Sequence, residues 1–244
     1  MIFPENIVGP KFDEGDLVTF VFDGAELTLR VPIISENRDH IDEVSSLSDF
    51  QNVDTRSWRT DDLENPLIQL VLQHWNLEHS KTLDDIAQCR LYVELVEVTE
   101  KQQSENILLE PSCFEDLILS WISYFFKNHE EKYAEDPSWP APANRYHGRS
   151  INKEHLNWFL IQLALNSRSK PSQLVMIPIN NRFVLTAYIK IESLHYAGRA
   201  NPFSDEALKK FEWDLFNDFL SHIKIEYSPE LIATIESLKD KAPA

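Results

Sequence analysis

Residues 173–194 (QLVMIPINNRFVLTAYIKIESL) constrain the fold most strongly, because apolar side chains recur at alternate positions from Phe183 to Ile191. A period of two is typical of a strand that rests one face on a core. Asn180 and Asn181 supply a turn before this strand, because asparagine tolerates the left-handed backbone conformation. The segment therefore predicts a β-hairpin. Pro178 is expected to weaken its first strand or to place that strand at a sheet edge.

Two more segments predict strands. Residues 17–32 (LVTFVFDGAELTLRVP) contain strand-forming side chains on both sides of Asp23-Gly24, and this dipeptide is a strong signal for a tight turn. Residues 89–99 (CRLYVELVEVT) alternate cleanly, so that Leu91, Val93 and Leu95 face one way and the residues between them face the other. We therefore expect a second hairpin and one further half-buried strand.

The clearest helix pattern covers residues 112–134. Ser112 is the predicted N-cap, and Glu115 three residues later completes a capping box. Apolar side chains then recur with helical spacing from Phe114 to Phe126 and form a wide stripe. The stripe predicts a helix with one face on the core.

Helical spacing also appears in four other segments. Residues 65–78 place Leu67, Leu70, Val71 and Trp75 on one stripe, and residues 152–165 repeat the pattern. A long amphipathic helix is predicted to open at Ser204, and a short terminal helix at Pro229.

The order of these elements predicts an α+β fold. We expect a mainly antiparallel sheet, built from hairpins near 17–32 and 173–194 and a strand at 89–99, with amphipathic helices packed on it. The chain has 244 residues, which fits one domain over 1–244. Two segments are predicted to be surface loops, an acidic one at 35–65 and a Pro-rich one at 136–150.

The net charge of −17 limits the classes of partner. A field of this sign repels phosphate backbones and anionic lipid, so we expect neither nucleic acid nor a membrane surface as a partner. It favours another protein, and basic proteins are the obvious class, although solubility alone would also account for the charge. The first residues lack the pattern of a signal peptide, and no apolar run approaches the ~20 residues of a membrane helix, so a cytoplasmic protein is expected.

Motifs for cofactors and catalysis are missing from the sequence. Neither of the two glycine-rich phosphate-binding motifs occurs, and the G-x-S-x-G nucleophile motif is absent as well. The eight histidines do not show the spacing of a local metal site. We therefore expect no cofactor and predict no catalytic or metal-binding residues, while a metal centre assembled from distant positions stays open as the alternative.

The two cysteines, Cys89 and Cys113, are too far apart in sequence for a C-x-x-C motif. Two buried thiols are the simpler interpretation, and a disulfide between them stays open. Cys113 lies in the first turn of a predicted helix, where a thiol can have a lowered pKa. It is thus the better candidate for a thiol nucleophile.

Candidate binding residues lie in the two predicted loops. The Pro-rich loop combines cations and aromatic rings of the kinds that dominate interface hot spots. Its candidates are Trp139, Arg145, Tyr146, His147 and Arg149. The acidic loop could meet a basic surface. Its candidates are Asp61, Asp62 and Glu64, together with Asp39, Asp42 and Glu43. The alternative interpretation is that the first loop folds its aromatic rings onto the core and the second is simply solvated.

Three functional hypotheses follow. The first is a noncatalytic bacterial protein-binding module, most concretely an immunity or adaptor protein that binds a toxin or effector. The second is a hydrolase with dispersed catalytic residues, which would need a pocket holding two histidines or a histidine beside a buried carboxylate. The third is a structural subunit of a larger assembly, which would carry a large apolar patch.

Overall fold

The computed structural model describes most of the chain. The described residues are 7–22, 24–32, 59–60, 65–82, 85–105, 107–133, 136, 140–141, 145–153, 156–164, 172–193 and 203–239. In chain order, the strands are β1 (Ile7–Val8), β2 (Asp16–Phe22), β3 (Ala25–Val31), β4 (Arg59–Thr60), β5 (Pro66–His79), β6 (Asp85–Glu97), β7 (Tyr146–Lys153), β8 (Leu156–Leu163), β9 (Ser172–Pro178), β10 (Phe183–Ser193) and β11 (Ile223–Tyr227). The helices are α1 (Glu100–Glu105), α2 (Pro111–Tyr133), α3 (Asp205–Ser221) and α4 (Pro229–Lys239).

The strands form two antiparallel sheets. The large sheet has the order β1-β5-β6-β10-β9-β8-β7, and the short strand β4 also pairs with β5. The small sheet has the order β11-β3-β2. All pairs are antiparallel, and helices pack against the sheets, so the predicted α+β class with a mainly antiparallel sheet is confirmed.

Both predicted hairpins are confirmed. β2 and β3 pair from Asp16 to Val31, and Gly24 between them has a φ of 79°, a conformation that favours glycine. β9 and β10 form the second hairpin, and the side-chain oxygen of Asn180 accepts hydrogen bonds from the backbone of Arg182 and Phe183. This side chain closes the turn that the sequence predicted.

The predicted strand at 89–99 is also confirmed, although β6 begins earlier. It pairs with β5 on one side and with β10 on the other, so it lies inside the large sheet. Of the two alternatives predicted for Pro178, placement of its strand at a sheet edge is wrong. β9 pairs with both β8 and β10 and is not an edge strand, and Pro178 is its last residue. Proline is tolerated there because it ends the strand.

The predicted helix at 65–78 is wrong, because these residues form β5. A register shift lies between Gln69 and Val71, where Leu70 is an extra residue that has no partner in the neighbouring strand. Because of the bulge, the buried residues Ile68 and Val71 lie on the same face of the sheet although they are three positions apart in sequence. This spacing imitates one turn of a helix, although the backbone is extended.

The predicted helix at 152–165 is wrong as well, because β8 occupies Leu156–Leu163. β8 pairs with β7 and β9, and both of its faces are covered. Trp158 and Leu160 are buried on one face, and Phe159 and Ile161 on the other. A strand buried on both sides carries a continuous apolar run, which periodicity cannot distinguish from a buried helix.

The predicted loop at 136–150 is too long. Its last residues, 146–150, belong to β7, which pairs with β8 along its whole length. The predicted loop at 35–65 lies mostly outside the described residues, and β4 is a two-residue strand within it.

The three remaining predicted helices are present as α2, α3 and α4. Ser204 caps α3 as expected, because its hydroxyl accepts a hydrogen bond from the backbone of Ala207. The cap of α2 differs from the prediction. Glu110 and not Ser112 is the cap, since its carboxylate accepts from the Cys113 backbone at 2.7 Å and from the Ser112 hydroxyl at 2.6 Å. Neither α1 nor β11 was predicted.

Two apolar cores lie on opposite faces of the large sheet. The first core packs one face against α3 and the small sheet, and includes Leu91, Leu185, Phe211, Phe219, Leu27 and Leu29. The second core packs the other face against α2, and includes Val96, Val184, Phe159, Ile161, Met176, Ile118, Trp121 and Phe126. None of the helices in the described part of the chain combines the length and apolar character needed to cross a bilayer.

Candidate functional site

Among the described elements, α2 covers only part of the second face of the large sheet. α2 packs on the end of the sheet that carries Val96 and Val184, a pair of facing residues in β6 and β10. Four residues away along the same two strands, the side chains on this face change character. We call this part the tyrosine face, and it consists of Arg90, Tyr92, Glu94, Tyr188, Lys190 and Glu192. None of these six residues is buried.

The centre of the tyrosine face is an aromatic pair. Tyr92 and Tyr188 are directly opposite in the β6–β10 register, and their rings stack at a centroid distance of 4.4 Å and an interplanar angle of 11°. Burial raises the pKa of Tyr188 far above its ordinary value, and the charges of Glu94 and Tyr92 add to the effect. The phenol therefore stays protonated and can donate a hydrogen bond.

An ion-pair cluster borders the stacked rings. The carboxylate of Glu192 pairs with Lys190 on its own strand and with Arg90 of β6, and the Arg90 guanidinium also donates to the Gln88 side chain at 2.8 Å. The hydrogen bond from Lys190 lowers the pKa of Glu192, with the charges of Lys190 and Arg90 contributing. The side chains of Arg90, Lys190 and Glu192 remain 31%, 53% and 39% exposed. The cluster is thus joined by ion pairs and a hydrogen bond while it stays in contact with water.

The candidate binding residues of the Pro-rich segment fall into two groups, one packed against α2 and one exposed. Arg145 forms an ion pair with Glu130 of α2, and its guanidinium carbon lies 5.3 Å from the centroid of the Phe126 ring. Tyr146 stacks on the same ring at 6.4 Å. These two side chains hold the start of β7 against α2. The Tyr146 ring thus packs against the second core.

His147 and Arg149 behave differently. Both are exposed on β7, and their side chains lie on the same face because they are two residues apart in a strand. The other predicted binding residues lie outside the described part of the chain. These are Trp139, Asp61, Asp62 and Glu64, and also Asp39, Asp42 and Glu43.

Both thiols are protonated and free. Burial raises the pKa of Cys89, and Glu212 adds to the rise. The pKa of Cys113 is also raised, first by its hydrogen bond to Glu110 and then by partial burial. The expectation that the helix N-terminus would lower the pKa of Cys113 is therefore wrong, because the carboxylate that caps α2 lies beside the thiol.

Histidines with defined contacts occupy structural positions. His79 accepts backbone hydrogen bonds from Lys81 and Thr82 in the turn after β5, and His129 contacts the Phe125 carbonyl one turn earlier in α2. His222 stacks on Phe12 at 6.4 Å. Within the described ranges, no three His, Cys, Asp or Glu side chains come close enough together to hold a metal ion.

The tyrosine face was not predicted from the sequence. Alternation placed Tyr92 and Tyr188 on the outward sides of two strands, but nothing local indicated that β6 and β10 are neighbours or that the two tyrosines are in register. Comparison with protein-family models, with curated proteins and with solved structures gave no match to this chain.

Proposed function

We propose that the chain is a noncatalytic protein-binding module that docks a basic protein on the tyrosine face. Its concrete form is an immunity or adaptor protein that binds a toxin or effector. The observation that carries the proposal is the half-buried Tyr92–Tyr188 stack beside the ion-paired cluster of Arg90, Lys190 and Glu192.

The composition of the face supports a docking role. Tyrosine and arginine are enriched among the residues that contribute most to protein–protein affinity, because each combines a large contact area with polar groups. Tyr92 and Tyr188 already restrain each other by stacking, and Arg90 is held by Gln88 and Glu192. Little side-chain freedom is therefore left to lose on binding, which favours affinity.

The net charge supports the choice of partner. A charge of −17 creates a negative field around the chain that attracts cations over about one Debye length, roughly 8 Å at physiological salt. The field accelerates encounter with a basic protein, and the aromatic rings then provide the short-range contacts.

Site-specific crosslinking in the native host tests the location. A photo-crosslinking amino acid at Lys190 should capture one discrete partner, whereas the same group at Lys210, exposed on α3, should not. The purified partner should then bind the Tyr92→Ala, Tyr188→Ala double variant at least about tenfold more weakly than the parent protein. Tyr124→Ala is the matched control, because this tyrosine is 45% exposed and belongs to α2, not to the six residues of the face. Equal losses in both variants would reject the tyrosine face.

Ionic strength tests the steering separately. The association rate with the purified partner should fall by about tenfold or more between roughly 0.02 and 0.5 M salt, because screening removes the long-range field. Stopped-flow fluorescence measures this rate. An association rate that does not change with salt would remove the basic partner from the proposal.

A further inference from the structure

β7 forms one edge of the large sheet. It pairs with β8 over eight consecutive residues, from Tyr146↔Leu163 to Lys153↔Leu156. Within the described ranges, no strand pairs with its other side. An edge of this length offers a row of backbone groups to which an added strand can hydrogen-bond.

The register identifies the backbone groups that point outward. Arg145 accepts a hydrogen bond from the backbone of Ala164, so this pair is of the hydrogen-bonded type. In an antiparallel ladder such pairs alternate with non-bonded pairs, whose N–H and C=O groups point away from the partner strand. The outward groups on β7 therefore belong to Tyr146, Gly148, Ser150 and Asn152.

An exposed guanidinium and an exposed imidazole lie on this edge. Arg149 is exposed and forms no ion pair with any described residue, and His147 is exposed on the same face two residues earlier. A strand added to β7 would place its own side chains about 4.5–5.5 Å from these two. Carboxylates at alternate positions of that strand would meet both of them.

We propose that the outer edge of β7 binds an extended acidic segment of a protein partner by strand addition. The segment carries two carboxylates two residues apart, which lie opposite His147 and Arg149, and its backbone pairs with Tyr146, Gly148, Ser150 and Asn152. This site is separate from the tyrosine face and does not depend on the function proposed above.

Charge also argues against a second copy of the chain as the occupant. An antiparallel pair of β7 strands would bring the Arg149 side chains of two copies near one another, and like charges across strands are unfavourable. Two copies, each with a net charge of −17, would also repel each other during approach. An acidic segment in an extended conformation avoids the first of these costs.

A synthetic peptide pair tests the proposal. The first is a fluorescein-labelled ten-residue peptide in which glutamate alternates with valine and threonine, and the second has lysine in place of glutamate. Fluorescence anisotropy is measured at about 0.15 M salt, where the net charge is screened beyond roughly 8 Å but contacts between neighbouring strands are not. The acidic peptide should bind, and the lysine peptide should bind at least about tenfold more weakly.

Three variants distinguish strand addition at β7 from nonspecific electrostatic attraction to the protein. Arg149→Glu should weaken the acidic peptide about tenfold and improve the lysine peptide. Lys224→Glu makes the same charge change on β11, an edge of the small sheet, and should change binding less than about twofold. Ser150→Pro removes an outward N–H and places the proline ring on the open edge, while the hydrogen bonds to β8 remain, so it should abolish binding without unfolding the protein.

Amide hydrogen exchange gives a second readout on the parent protein. Bound acidic peptide should slow exchange at Tyr146, Gly148, Ser150 and Asn152, and should leave the already paired amides between them unchanged. Absence of acidic-peptide binding at millimolar concentration would overturn the proposal, and the charged edge would then serve only to discourage association. Equal binding of both peptides, or protection elsewhere on the chain, would overturn it as well.

Discussion

The two halves of one sheet face differ in how they are covered. At one end, Val96 and Val184 lie under α2 in the second core. Four residues away on the same strands, Tyr92 and Tyr188 stack on each other and stay half-exposed. β6 and β10 are thus continuous through both halves, and only the side chains at alternate positions change from aliphatic to aromatic and charged.

This difference shows why part of a sheet face can lack a covering helix among the described elements. Aliphatic side chains gain about 25 cal/mol for each Å² removed from water, so they require a covering layer. The two tyrosine rings bury part of their surface against each other, and tyrosine and arginine side chains can keep their polar ends in water. The open half can therefore persist in the free protein and still offer a large contact area to a partner.

The largest expected effect is a difference in the free energy of unfolding between variants in the covered half and variants in the open half of the sheet face. Phe126→Ala removes a ring that is 2% exposed in the second core and should lower the free energy of unfolding by about 3–5 kcal/mol. Tyr92→Ala removes a half-exposed ring and one stacking contact, and should cost about 1–2 kcal/mol. Urea unfolding followed by circular dichroism measures both. Equal costs would mean that the open half is as much a part of the core as the covered half.

A smaller effect tests how tightly the covered half is packed. A Cβ on Gly148 would lie 2.7 Å from the Phe159 ring, and Phe159 is 2% exposed in the second core. The ring has little room to move, so Gly148→Ala should destabilise the protein by about 1–3 kcal/mol. Urea unfolding of the single variant measures this cost.

A double-mutant cycle assigns the cost to the clash. In a Phe159→Leu background the ring is absent, and the penalty of Gly148→Ala should shrink by at least about 1 kcal/mol. An unchanged penalty would attribute the effect to the backbone preferences of glycine and not to packing under α2.

The sequence predicted the fold where local patterns and burial agree. The hairpins at 17–32 and 173–194 combine alternation with turn residues, and each strand there has a regular period. The prediction was wrong where tertiary structure alters the period. The bulge at Leu70 in β5 created a helical spacing, and burial of both faces of β8 erased the alternation.

Less of the candidate site than of the fold could be predicted from the sequence. Exposure of His147 and Arg149 fits their local composition, but the ion pair of Arg145 with Glu130 depends on how β7 docks against α2. The Tyr92–Tyr188 stack depends on the pairing of two strands separated by some ninety residues, and no local pattern specifies that register. Long-range pairing is thus the physical reason that the tyrosine face was missed.

The smallest effect concerns the start of α2, the helix that covers one half of the sheet face. Hydrogen bonds from Ser112 and Cys113 lower the pKa of Glu110 from 4.5 to about 2. A carboxyl whose pKa is lower in the folded state stabilises that state above its unfolded pKa, and the contribution fades as the pH falls from about 5 towards 2. Glu110→Gln should therefore reduce the free energy of unfolding by about 0.5–1 kcal/mol at pH 7, since water screens this carboxylate, and by less at pH 3.

Comparing parent and variant at each pH cancels the other carboxylates of the chain. Glu115→Gln changes an exposed carboxylate in the first turns of the same helix and serves as the matched control. Urea unfolding between pH 3 and 7 should show a difference for Glu110→Gln that grows with pH and exceeds that of the control. If the difference were the same at every pH, Glu110 would act at the start of α2 through hydrogen bonding alone. The charge of its carboxylate would then contribute nothing to holding α2 over the covered half.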